Sequence, residues 1–137
     1  YNRMKKTLSI LILSMLFTSV ANAKIITLSK CFYTKMGNTF DSETYKQNYY
    51  KVDTNKKTVA HISIVSDKWA KLNPSRQKIN IRKYDLIYYD SDFVVARKKE
   101  GQRTFKYTLD LKKKIIEIYI EEEYKVLTYH KCLSIRK

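Results

Sequence analysis

The segment RTFKYTLDLKKKIIEIYIE, residues 103–121, decides how this chain folds. In its first half Arg103, Phe105, Tyr107 and Leu109 alternate with Thr104, Lys106, Thr108 and Asp110. In its second half Ile116, Ile118 and Ile120 alternate with Glu117, Tyr119 and Glu121. Successive side chains of a strand point to opposite faces, so a period of two with one apolar face marks a half-buried strand. Between the two halves stands Asp110, whose carboxylate can accept hydrogen bonds from turn amides, followed by Lys112, Lys113 and Lys114, which tolerate a solvated reversal. The segment predicts a β-hairpin.

The same chemistry recurs on either side. Ala60, Ile62 and Ile64 alternate with His61 and Ser63, which predicts a strand with its isoleucines toward the core and His61 on the outer face. Turn signals fall at Gly37-Asn38, 53–57, 90–92, Glu100-Gly101, 112–114 and 121–123. Their spacing predicts an all-β chain of about eight strands in an antiparallel meander. These strands are expected near 24–35, 45–53, 58–66, 78–90, 92–99, 102–110, 114–121 and 124–135. A weak repeat runs through them: YKVDTNKKTV at 50–59 matches YTLDLKKKII at 107–116 in the tyrosine, the aspartate, two lysines and the apolar ends. With Ile62 and Ile64 facing inward, the apolar parity after the turn differs between the copies. The repeat therefore reads as recurrent hairpin chemistry and not as a duplicated domain.

Residues 66–77, SDKWAKLNPSRQ, break the rhythm and hold the only tryptophan and the only proline. Ser66 or Asp67 can cap a short helical insertion near 66–74 that Asn73-Pro74 would end. Trp69 and Leu72, three apart, could both face a barrel mouth, or the turn could plug one end of the core.

Residues 1–23 read as a bacterial export signal. Met4, Lys5 and Lys6 form a basic start, 8–20 (LSILILSMLFTSV) an apolar core, and Ala21-Asn22-Ala23 a signal-peptidase site with cleavage before Lys24. A spanning helix needs about 20 predominantly apolar residues, and this core is shorter. The expected mature protein is a single β domain, 24–137, periplasmic or secreted, with no membrane span after cleavage.

That compartment gives the two cysteines their meaning. Cys31 and Cys132, bound for an oxidising environment, are expected to form a disulfide. A redox pair or a metal site would usually use closer spacing. Bridging requires the two Cα atoms to lie within about 7 Å, so the first and last strands must be neighbours. A meander with adjacent terminal strands is a closed or nearly closed barrel, with a sandwich as the alternative. An outer-membrane barrel fits less well. The helical insertion, the broken alternation at Lys83-Tyr84-Asp85, the charged Arg136-Lys137 end and a disulfide within the strands all oppose it.

The net charge is +15, of which Arg3, Lys5 and Lys6 lie in the signal, leaving +12. Richness in Ile, Tyr, Asn and Lys with only 2 glycines and 1 proline is the pattern AT-rich codons impose, which accounts for much of that charge. Export argues against nucleic acid as the partner and leaves an anionic envelope polymer.

Catalytic signals are sparse. His61 and His130 are the only histidines, and neither sits in a nucleophile, metal or acid/base motif. His130 shares its strand face with Cys132. Asp90-Ser91-Asp92 lacks the glycine and terminal glutamate of a calcium loop and reads as a hairpin turn; Glu121, Glu122 and Glu123 read as a solvated tip. No cofactor or metal is expected. Tyrosine has most potential, since in the pairs Tyr49-Tyr50 and Tyr88-Tyr89 neighbours must point to opposite faces. Inward aromatics of a small barrel can line a pocket with polar tips. The candidate lining residues are Trp69, Leu72, Tyr88, Phe105 and Tyr107. The expectation is a non-enzymatic exported protein that holds a small amphipathic ligand or an envelope component. The alternative is a structural or adhesive surface protein that contacts anionic envelope polymers through its basic face.

Overall fold

A computed structural model describes residues 24–137; the expected signal peptide lies outside the described residues. Eight strands follow one another: β1 (Ile25–Tyr33), β2 (Tyr45–Asp53), β3 (Thr58–Val65), β4 (Ile79–Tyr89), β5 (Phe93–Glu100), β6 (Arg103–Asp110), β7 (Ile115–Ile120) and β8 (Lys125–Arg136). Each pairs antiparallel with the next, and β1 pairs with β8 to close the barrel. Closure removes both sheet edges, and with them the unpaired backbone groups that edges expose. The disulfide sits on this seam. Cys31 and Cys132 are direct cross-strand partners with Cα atoms 4.0 Å apart, and both side chains are buried in the core.

Three hairpins use one device. Asp53 Oδ1 accepts from the amides of Asn55 and Lys56 at 3.1 and 3.0 Å, and Asp110 Oδ1 from those of Lys112 and Lys113 at 3.1 and 3.0 Å. Asp90 Oδ1 likewise accepts from Asp92 and Phe93 at 2.8 and 2.7 Å. In the first two hairpins the chain then turns through the left-handed region at Lys57 (φ 54°) and Lys114 (φ 58°). The matching stretches 50–59 and 107–116 are thus one hairpin design used twice.

The parity of these two hairpins corrects the reading of β3. Tyr50, Val52 and Val59 are fully buried, as are Leu109 and Ile116. Val52 lies opposite Val59, Tyr50 opposite His61 and Asn48 opposite Ser63. Directly opposed residues share a face, so His61 and Ser63 point into the barrel and Ala60, Ile62 and Ile64 point out. In the repeat, His61 takes the place of inward-facing Ile118, and parity is preserved. The outward isoleucines Ile62 and Ile64 lie opposite Ile81 and Ile79, which are 55% and 53% exposed. Alternation locates two faces but carries no sign. The more apolar face of β3 is the outer one.

Along β1, Lys30 has φ 54°, which turns the strand so that Leu28 and Cys31, an odd number of residues apart, are both buried. One end of the barrel is packed solid with Ile26, Leu28, Val52, Val59, Val94, Leu109, Leu111 and Ile116. At the other end lie two longer connections. One, 34–44, begins with a 3-10 turn at Thr34–Met36. The other carries α1 (Asp67–Leu72), whose N-terminus is capped by Ser66 Oγ accepting from Trp69 N at 3.1 Å.

Candidate ligand site at the barrel mouth

Above the solid plug the lumen opens into a cleft of about 660 Å³. Tyr50, Tyr84, Tyr107 and Ile118 line it beside Asn48, His61, Ser63, Arg82 and His130, and the connection between β1 and β2 forms its rim. Apolar side chains fill the plug, and polar ones take over where the strands reach the mouth.

Two hydrogen-bonded groups organise the wall. Asn48 Nδ2 donates to the carbonyl of Cys31 at 2.8 Å, which fixes the orientation of the amide. Its Oδ1 therefore accepts, from Ser63 Oγ at 3.1 Å and from His61 Nε2 at 2.6 Å. His61 must carry its proton on Nε2, leaving Nδ1 with a lone pair. Tyr50 OH lies 2.8 Å from His130 Nδ1. With the phenol as donor, every polar atom of the pair is used except the Nε2–H of His130. That nitrogen is buried and is the one buried side-chain polar atom without a partner among the described residues.

Aromatic contacts join the groups. The Tyr50 and His61 rings stack 4.3 Å apart, His130 meets His61 edge-on at 5.7 Å, and Tyr33 covers His130 at 4.1 Å. Tyr84 lies 4.1 Å from Tyr107 on the opposite side of the lumen.

This setting holds both histidines neutral. Burial pushes His130 down to about 4 from an ordinary 6.5. Burial, then the neighbouring His130 and the Arg82 charge, push His61 down to about 3. Burial first, and then the Tyr107 and Tyr84 hydroxyls, push the Tyr50 phenol well above its ordinary value, so it remains a proton donor. The histidines are bonded to an amide and a phenol and not to a carboxylate. Among the described residues no three of His, Cys, Asp and Glu gather to hold a metal ion.

No family model, curated protein or solved structure matches this chain. The function has to be sought in the chemistry of the mouth itself.

The five side chains expected to line a cavity are dispersed. Tyr107 stands in the cleft wall, and Phe105 packs against the core beside it. Trp69 lies in a separate groove with Tyr45, Arg76 and Lys78. Leu72 is 74% exposed. Tyr88 is 53% exposed and donates its hydroxyl to Asp90 Oδ2 at 2.6 Å, a hairpin contact. Leu72 and Tyr88 thus stand outside the cleft, because α1 does not turn its Leu72 face to the mouth and the β4 bulge between Leu86 and Tyr88 shifts the register. Asn48 and Arg82 drew no notice in the sequence, and Tyr50, His61 and His130, though singled out there, were not expected among the lining residues. The internal repeat carried the needed signal, since Tyr50 matches Tyr107 and His61 falls where Ile118 does.

Proposed function

We propose that this protein is a non-catalytic binding barrel that holds a small amphipathic ligand in its mouth. One observation carries the reading: a cleft of about 660 Å³ in which aromatic rings and a sparse set of oriented polar groups stand above a solid apolar plug. Small-molecule sites have about that size and that mixture of surfaces. The fixed Asn48 amide and the neutral histidines suit recognition, which needs polar groups held in place before the ligand arrives.

The disulfide is compatible with an extracellular or periplasmic location, and no helix among the described residues is long and apolar enough to cross a membrane. We infer that residues 1–23 are removed and that the barrel works in the periplasm or outside the cell.

Native mass spectrometry of the protein purified from its own source tests the ligand reading. The expected result is a small organic molecule copurifying with the folded chain and released on unfolding. Only the bare chain mass, together with no change in tyrosine emission across a panel of small amphiphiles, would overturn it. The alternative, adhesion to anionic envelope polymers, is supported by the charge. Only Lys68, Arg97, Lys98, Arg103 and Lys112 enter ion pairs among the described residues. It predicts retention on an anionic matrix that falls steeply as salt rises.

A further inference from the structure

The mouth contains an imbalance of hydrogen-bonding groups that indicates what kind of ligand would fill it. His130 is 1% exposed, lines the cleft, and has an Nε2 without a hydrogen-bond partner, which is an N–H donor in the tautomer whose Nδ1 accepts from the Tyr50 phenol. A buried donor left unpaired is costly and uncommon in folded proteins. Arg82 stands in the wall of the same cleft, beside His61, its direct partner across β3 and β4. It forms no ion pair among the described residues.

Two carboxylates stand at the rim of the same cleft, one in an exposed ion pair and one without a cationic partner. Glu43 pairs with Lys68 at 3.1 Å, and Asp41 accepts from the Thr44 amide at 3.2 Å, contacts within the rim and α1. On its strand walls the cleft presents one cation without an ion pair and one buried donor without an acceptor. These come from β4 and β8, strands that stand opposite each other in an eight-stranded closed order. A group between them would have to accept from both sides.

We propose that the mouth binds an organic monocarboxylate, whose two oxygens accept from the Arg82 guanidinium on one side and His130 Nε2–H on the other, with its apolar part against Tyr84, Tyr107 and Ile118. This rests on the reading of the mouth as a ligand site and specifies its ligand. Arginine suits the role because its planar fork offers two parallel donors to a carboxylate. Tyr33, whose ring covers His130, would have to move aside for the head group to reach Nε2.

Three probes with the same alkyl chain test the assignment: decanoate, decan-1-ol and decyltrimethylammonium, titrated below micelle formation and followed by calorimetry and tyrosine emission. Decanoate should bind about ten- to a hundredfold tighter than decanol, the range for a hydrogen bond to a charged group, and the ammonium weakest of all. Arg82→Gln, at an exposed position that should not disturb folding, should erase the preference for decanoate over decanol. In the wild-type protein, decanoate should shift the His130 Nε2–H resonance in nitrogen-15 spectra, which requires no substitution in the core. Equal affinity for decanol and decanoate, an undiminished preference in Arg82→Gln, or an unmoved His130 resonance would overturn the carboxylate assignment while leaving the ligand site standing. Failure of all three probes to bind would also overturn it, and the copurification experiment would then decide separately whether the mouth is a ligand site.

Discussion

His130 and His61 give the stability of this barrel a pH dependence whose sign can be worked out. In the folded chain they titrate at about 4 and about 3, and on unfolding both return to an ordinary 6.5. Above 6.5 neither state binds a proton at these groups, so their contribution is flat. As the pH falls below that value the unfolded chain takes up protons that the folded chain refuses, and stability falls by up to about 1.4 kcal/mol per pH unit for each group. The loss from His130 ends near pH 4 and that from His61 near pH 3. Urea titrations at a series of pH values should show this slope, and His130→Asn, which can keep an acceptor for the Tyr50 hydroxyl, should reduce it. A variant whose slope matches that of the wild type would show that His130 is not held neutral by the fold. The sequence displayed both histidines but gave their facing incorrectly for His61. A strand with Ile62 and Ile64 on one side and His61 and Ser63 on the other looks like a surface histidine, because the pattern of apolar residues is usually the pattern of burial. Here the opposed Tyr50 and Asn48 on β2 decided the facing.

At the scale of elements, the hairpins were the most legible part of the chain. Their chemistry is local: Asp53 and Asp110 each bond amides two and three residues on, which needs no distant partner. The same locality exposes a weakness. Lys57 and Lys114 sit in the left-handed region, where a side chain costs about 1–2 kcal/mol. Lys114→Gly is therefore expected to stabilise the fold by about 0.5–1 kcal/mol, the strain relieved less the added freedom of glycine in the unfolded chain. Chemical denaturation would measure it, and a lowered midpoint would count against the turn geometry. The outward isoleucines of β3 and β4 give a sharper contrast. Ile116→Ala, at a fully buried position, should cost about 2–5 kcal/mol. Ile81→Ala, on the outer face, should change stability by no more than about 0.5 kcal/mol. Comparable losses at the two positions would mean that the outer face of β3 and β4 is covered, not open.

For the whole molecule, the disulfide and the barrel closure depend on one another. Cys31 and Cys132 are 101 residues apart in sequence and adjacent across the β1–β8 seam. In the chain-entropy account, a bridge closing a loop of that size stabilises the fold by about 4–5 kcal/mol through the unfolded state. The double variant Cys31→Ser, Cys132→Ser should lose most of that amount in guanidinium titrations while its β-sheet circular dichroism persists. A midpoint that does not move would show that the backbone ladder closes the barrel without help. Two cysteines near the ends of a meander, read together with an oxidising compartment, were enough to predict that the terminal strands meet.

What the sequence by itself determined was everything that depends on near neighbours or on a single distant constraint. The period of two set the strands, aspartates and solvated lysines set the turns, Ser66 or Asp67 ahead of Asn73-Pro74 set the short helix, and the cysteine pair set the closure. The tertiary structure alone decided which face of β3 looks inward and which inward side chains meet. Facing follows from register between strands, and register is a relation that no single strand contains. The meeting of Asn48, Tyr50, His61, Arg82 and His130 at one mouth joins β2, β3, β4 and β8, segments that only the closed barrel brings around one lumen.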